Sequence, residues 1–190
     1  MISEFKEVID ICEEYAKNNP LPTKVEDVVT LMIDVNPILS KIKVTKENLP
    51  YGRYLIHQDK YNEFNIQVHV FSPRYEGYIH CHTTWGIMTI IKGTMCVTDW
   101  VEDVNSFECI RSSLVKKGGS VCFCPPAQDW HKTDTSTSDL QAVSVHIYGK
   151  GWDMDNGIYV DKSFLKVEGS RGEIKDNSLL FPYIISMDNN

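Results

Sequence analysis

What the chain lacks narrows the field first. No apolar run among its 190 residues approaches the roughly 20 needed to span a bilayer as a helix. The opening residues, "MISEFKEVIDICEEYAK", are acidic and amphipathic rather than a basic stretch leading into an apolar core, so no secretory leader is expected. Positive charge is in deficit: 19 Lys and Arg stand against 26 Asp and Glu, a net charge of −7. With no basic surplus to neutralise phosphates, nucleic acid is excluded as an expected partner. The six cysteines (Cys12, Cys81, Cys96, Cys109, Cys122 and Cys124) lack the spacing of a zinc ribbon, and nothing in them points to an oxidising compartment. Reduced thiols in a cytoplasmic protein are the expectation. Internal repeats, low-complexity segments and a linker are also missing from the pattern.

What is present fits one domain with a real core over residues 1–190, monomeric by default. Ile2, Phe5, Val8, Ile9, Cys12 and Tyr15 recur at helical spacing until "NNP" stops them. A second helix is predicted to open on a Thr23-x-x-Glu26 capping box and to be broken, or restarted, at Pro37. These make a helical segment over 1–48. From Tyr51 the texture changes to short β-rich runs, "FNIQVHVF", "GIMTIIKGTMCVTDW", "FECIRSSLVKKGGSVCFCPP" and "LQAVSVHIYG", separated by turn residues. Over 51–150 this predicts an antiparallel sandwich or barrel rather than βαβ units. Residues 151–190 form a C-terminal extension with apolar islands but no clear element.

The stretch "GYIHCHTTWG" carries the chemistry. On a strand, residues i and i+2 share a face, so His80 and His82 point together while Cys81 points away. Two such imidazoles can reach one metal ion. His131, in "DWHKTD", supplies a third, and His146 lies in "VSVHIYG". His57 and His69 read as ordinary hydrogen-bonded or surface histidines. Cys122 and Cys124 read as small hydrophobes. Trp85 and Trp130 each stand near a proposed ligand, either walling a pocket or simply packing.

The frame around the histidines, Gly77-x2-His80-x-His82 up to Gly93, then Gly119-x5-Pro125-x5-His131, resembles the two motifs of the cupin superfamily. That resemblance implies a mainly-β fold, a double-stranded β-helix or jelly-roll barrel, with both motifs converging on a metal in its lumen. Many cupins add a Glu four or five residues after the HxH pair. Here those positions are Gly86 and Ile87, so the metal would have three neutral imidazoles and keep its full charge. Such a centre favours an anionic ligand, and a thiolate suits it.

"YGRYLIHQD", the HxH pair, "WHKTD" and "AVSVHIYG" together resemble the cysteine dioxygenase family of thiol dioxygenases over Tyr51 to Gly149. The resemblance implies an Fe(II) enzyme that adds both atoms of O2 to a small thiol, giving a sulfinic acid. It implies His80, His82 and His131 as iron ligands, and Ser144, His146 and Tyr148 as the family's Ser-x-His-x-Tyr relay. It further implies Arg53 and Tyr51 as the holders of substrate carboxylate, for which a guanidinium has the matching two-pronged shape. Strand alternation independently puts Ser144, His146 and Tyr148 on one face and Val143, Val145 and Ile147 on the other.

Departures qualify the match. Mammalian-type members link the relay Tyr to a cysteine near the HxH pair; Gly86 occupies that approximate place, so no such thioether is expected. "TTWG" and "DWH" look more like the bacterial 3-mercaptopropionate branch. That branch carries Gln at the Arg53 position and an Arg after the last strand, where "GKGWDMDNGIYVD" has none. The expected substrate is therefore L-cysteine first, with 3-mercaptopropionate or another small thiol as the alternative. A cupin that binds metal or a small molecule without catalysis also stays open.

Overall fold

The computed structural model describes residues 2–19, 22, 24–43, 51–77, 79–82, 84–103, 106–124 and 130–150. The extension expected over 151–190 and Thr23 of the expected capping box fall outside them. The fold is mainly β, two antiparallel sheets preceded by two helices. The helices are α1 (Ile2–Asn18) and α2 (Val25–Leu39). The strands are β1 (Gly52–Gln58), β2 (Phe64–Phe71), β3 (Gly86–Lys92), β4 (Thr94–Asp103), β5 (Ser106–Lys116), β6 (Ser120–Phe123), β7 (His131–Asp134) and β8 (Ala142–Gly149). One sheet runs β1-β2-β8-β3-β6 and the other β5-β4-β7.

Alternation along the strands sorts the five-stranded sheet into two faces. Phe64, Ile66, Val68 and Val70 of β2, Ile87 and Ile91 of β3, and Val143, Val145 and Ile147 of β8 are buried in one cluster with Phe5, Val8, Val28, Leu31, Val35 and Leu39 of the helices. The amphipathic helices thus cover the outer face of this sheet. Its inner face meets the second sheet through Phe71, Met88, Ile90, Met95, Val97, Phe123 and Ala142. The remaining inward positions of β2 and β8 are polar, and the candidate site lies there.

Two expectations for α2 are corrected. The helix is N-capped by Lys24, which makes no side-chain cap hydrogen bond. Lysine has no acceptor to offer the first N–H groups, and Glu26 and Asp27 in the first turn meet the positive end of the helix dipole instead. Pro37 neither breaks nor restarts the helix, which runs on to Leu39. So close to the end, the ring removes one intrahelical bond, and Ser40 N–H donating to Asn36 O (2.9 Å) closes the last turn. Gly93, between β3 and β4, has φ +77°, and a Cβ there would meet Gln141 O at 2.7 Å. That turn needs glycine for both reasons.

Asn36 ties α2 to the sheet. Its Nδ2 donates to Gly118 O (3.2 Å) and its Oδ1 accepts from Ser120 Oγ (2.6 Å). Ser120 Oγ also lies 2.8 Å from Thr89 Oγ1. Asn36→Ala leaves these partly buried groups with one fewer partner each. It should lower stability by about 1–3 kcal/mol, read as a reduced urea midpoint at unchanged slope; an unshifted midpoint would show that the tie is idle.

Candidate metal centre

His80 does not lie on a regular strand as expected but forms an isolated bridge to His131, ahead of β3. His80 N–H donates to His131 O (2.9 Å) and His131 N–H donates to His80 O (2.8 Å). Residues that exchange both backbone bonds stand directly opposite, with their side chains on the same face. His131 opens β7 and pairs with Asp99 of β4, so the three-stranded sheet fixes it in turn.

The result is a cluster of His80, His82 and His131 whose ligand nitrogens all lie within 4.8 Å of one another. Ring centroids are 5.0 Å apart for His80–His82, 4.3 Å for His80–His131 and 4.7 Å for His82–His131. His82 and His131 are buried, while His80 keeps partial exposure. Burial, then the charges of His80 and Arg53, hold the His82 imidazole well below its usual pKa. It is neutral at physiological pH, the form a metal ligand needs. Three imidazoles on two antiparallel, bridged segments fit a first-row metal ion such as iron or zinc.

Among the described residues no carboxylate joins the cluster. Gly86, one of the two positions where the motif resemblance implies a Glu, is in β3 and lies against Tyr148. A Cβ on it would come within 2.9 Å of Tyr148 Cδ1 and 3.3 Å of Phe123 Cδ2. Ile87 faces the helix-covered side. Cys81 is buried but outside the cluster. Cys122 and Cys124 pack against the helix-side core. Trp85 sits edge-on to Tyr15 of α1 (5.7 Å) and Trp130 edge-on to Phe107 (5.1 Å), so both serve packing.

Ser144, His146 and Tyr148 are brought together as one buried chain. Ser144 Oγ lies 2.7 Å from His146 Nε2, and Tyr148 OH 2.8 Å from His146 Nδ1. The Tyr148 ring is 5.2 Å from that of His82, which connects this chain to the histidine cluster. Arg53 is buried on β1, and its charge is among the influences that depress the pKa values of His69, His82 and His146. Tyr51 precedes β1 and packs on Tyr75, at 5.5 Å between ring centroids.

The sequence reading missed the neighbouring row. His69 is hydrogen-bonded, as expected, but it is no bystander. Its ring stacks on His146 at 3.8 Å, and its Nε2 bonds Gln67 Oε1 at 3.0 Å. Gln67 Nε2 in turn donates to Asn65 Oδ1 at 2.6 Å. In register, His69 pairs with Ser144, Gln67 with His146 and Asn65 with Tyr148. The signal was in "FNIQVHVF", where every second residue from Asn65 to His69 is polar, as in "SVHIY".

No protein-family model matches the chain. Its structure is similar to a cupin-2 domain protein from Shewanella frigidimarina, at 14% identity over 54% of this chain and 84% of that one, TM-score 0.40. It is similar to a cupin-superfamily sugar phosphate isomerase from Silicibacter pomeroyi, at 11% identity over 55% and 72% of the two chains, TM-score 0.38. It is also similar to a hydroquinone 1,2-dioxygenase, PnpCD, at 12% identity over 55% of this chain and 67% of that one, TM-score 0.42. These partial likenesses carry no chemistry over to this chain.

Burial is the first cause that keeps His69 and His146 well below the usual pKa, with neighbouring positive groups adding to it. His82 behaves alike. Each is neutral when folded but takes a proton when unfolded below about pH 6.5, so the unfolded state binds more protons there. Stability of the metal-free protein should be full above about pH 6.5 and fall below it, by up to about 1.4 kcal/mol per pH unit per histidine. Urea midpoints between pH 5 and 7 should show this slope, and His69→Gln should flatten it by one histidine's share. An unchanged slope in that variant would contradict the neutral assignment.

Proposed function

We propose that the protein is an Fe(II)-dependent thiol dioxygenase acting on a small thiol that bears a carboxylate, with L-cysteine heading the candidates. The observation that carries this reading is a three-imidazole cluster with no carboxylate among the described residues, faced by the Tyr148 ring. The reaction is R–SH + O2 → R–SO2⁻ + H⁺. The S–H and O–O bonds break, two S–O bonds form, and sulfur gives up the four electrons that O2 takes. Fe(II), held by His80, His82 and His131, would supply the redox and Lewis-acid chemistry that joins O2 to sulfur.

The chain's own groups have separate tasks under this reading. A neutral His146 carries one ring N–H, placed between the hydroxyls of Tyr148 and Ser144. Shifting its tautomer moves one proton along that line, which gives the proton released from the thiol a place to go. The His69 ring, stacked on His146, holds that imidazole in plane. Arg53 binds the carboxylate, with Tyr51 beside it, and fixes the thiol relative to the metal. Gly86 leaves the Tyr148 ring room to stay against His82.

Iron-loaded protein should consume O2 in a thiol-dependent manner, with a sulfinic acid as product. Failure of every thiol in a panel of L-cysteine, 3-mercaptopropionate, mercaptosuccinate and homocysteine to raise uptake above the metal-only blank would overturn the reading. It would leave a binding protein. Tyr148→Phe should retain iron yet lose about 100-fold in kcat. His82→Ala should lose the iron itself, and unchanged iron content would contradict the ligand assignment.

A further inference from the structure

Asn65, Gln67 and His69 form a polarised chain. His69 Nε2–H donates to Gln67 Oε1, and Gln67 Nε2–H donates to Asn65 Oδ1. Each amide is thereby oriented, and the last donor in line is Asn65 Nδ2. That nitrogen is buried and has no hydrogen-bond partner among the described residues, on a residue 1% exposed. A buried amide N–H without an acceptor is destabilising, and a ligand acceptor would recover that loss.

Its position says which ligand. Asn65, Tyr148, Gly86 and Phe123 are consecutive in register across β2, β8, β3 and β6. The His82 ring is 5.2 Å from Tyr148 and 5.3 Å from Phe123, so this row lies at the level of the histidine cluster. Arg53 pairs instead with His69, four residues further along β2. Along a strand that separation is about 13 Å at the backbone. The longer Arg53 side chain narrows the gap, but the two donors are spaced for two separate acceptors rather than the two oxygens of one carboxylate.

We infer that Asn65 is a specificity-determining residue whose amide N–H binds a second acceptor group of the substrate, selecting a thiol dicarboxylate over a thiol monocarboxylate. The inference rests on the thiol dioxygenase reading for the identity of the reacting group, and it narrows the substrate class of that same site, moving a thiol dicarboxylate such as mercaptosuccinate ahead of L-cysteine. The carboxylate near sulfur would meet Asn65 at the metal level, and the distal one would reach Arg53.

The test is equilibrium binding to the iron-loaded full chain under argon, where no turnover can occur. Mercaptosuccinate and 3-mercaptopropionate differ by one carboxylate and serve as the probes. The parent should bind mercaptosuccinate about tenfold more tightly or better, the worth of one hydrogen bond to a charged group. In Asn65→Leu that ratio should collapse toward one. Asn65→Asp, which keeps the shape and removes the donor, should collapse it too. Equal weakening of both ligands in these variants, no change in either, or tighter binding by Asn65→Asp would each overturn the inference. Oxygen uptake with the same thiols separates the two claims. A binding preference without turnover sinks the dioxygenase reading alone, whereas turnover indifferent to Asn65 sinks the specificity claim alone.

Discussion

Two backbone hydrogen bonds, exchanged between His80 and His131, hold the candidate centre together. Neither imidazole needs a metal to face the other, because the opposed pair already sets both side chains on one face. His131 is anchored through β7 to β4, and the segment that carries His80 and His82 leads directly into β3 of the other sheet. The bridge therefore joins the two sheets at the point where the ligands converge. A site assembled by main-chain pairing is pre-organised, so little side-chain ordering remains to be done when a ligand arrives.

The interior behind that bridge is divided. Met88, Ile90, Phe71, Met95 and Val97 close one part of the lumen as an ordinary apolar core. Along β2 and β8 the inward positions are polar instead, which is expensive unless each group finds a partner. The two strands meet most of this need in parallel, Ser144–His146–Tyr148 on one and His69–Gln67–Asn65 on the other, with the imidazoles stacked between and Asn65 Nδ2 left over. Hydrogen bonds run along each strand and ring stacking runs across them. Such a network restrains every member through its neighbours, and it explains how a single tyrosine hydroxyl can be held in place beside the histidines.

Much of this was legible because alternation is a simple rule with few exceptions. It placed Ser144, His146 and Tyr148 on one face, and the motif frame singled out His80, His82 and His131. It also put Val143, Val145 and Ile147 on the opposite face, the one that the helices cover. What escaped was of two kinds. Helix ends depend on local geometry that a motif only suggests, hence the Lys24 cap and the helix that continues past Pro37. The polar row of β2 obeyed the same alternation as that of β8, but His69 looked ordinary when taken alone. Its meaning comes from the register that sets it opposite Ser144, and register between distant strands is tertiary information.

Charge completes the physical picture. Among the described residues Arg53 is the buried cation of the lumen, and burial keeps His69, His82 and His146 neutral beside it. No carboxylate of the described residues joins the three histidines to offset a metal ion. The buried Asp59 is engaged elsewhere, accepting from the backbone N–H groups of Tyr61 and Glu63, and Asp134 caps Ser136 and faces Lys132. A divalent metal bound to this set would leave the interior with excess positive charge at low dielectric, where such charge is costly unless an anion enters. A thiolate at the metal and carboxylate at Arg53 supply that balance. Under the proposed reading, then, the substrate completes the electrostatics of the barrel as well as its hydrogen bonds, and a neutral thiol without a carboxylate would satisfy neither.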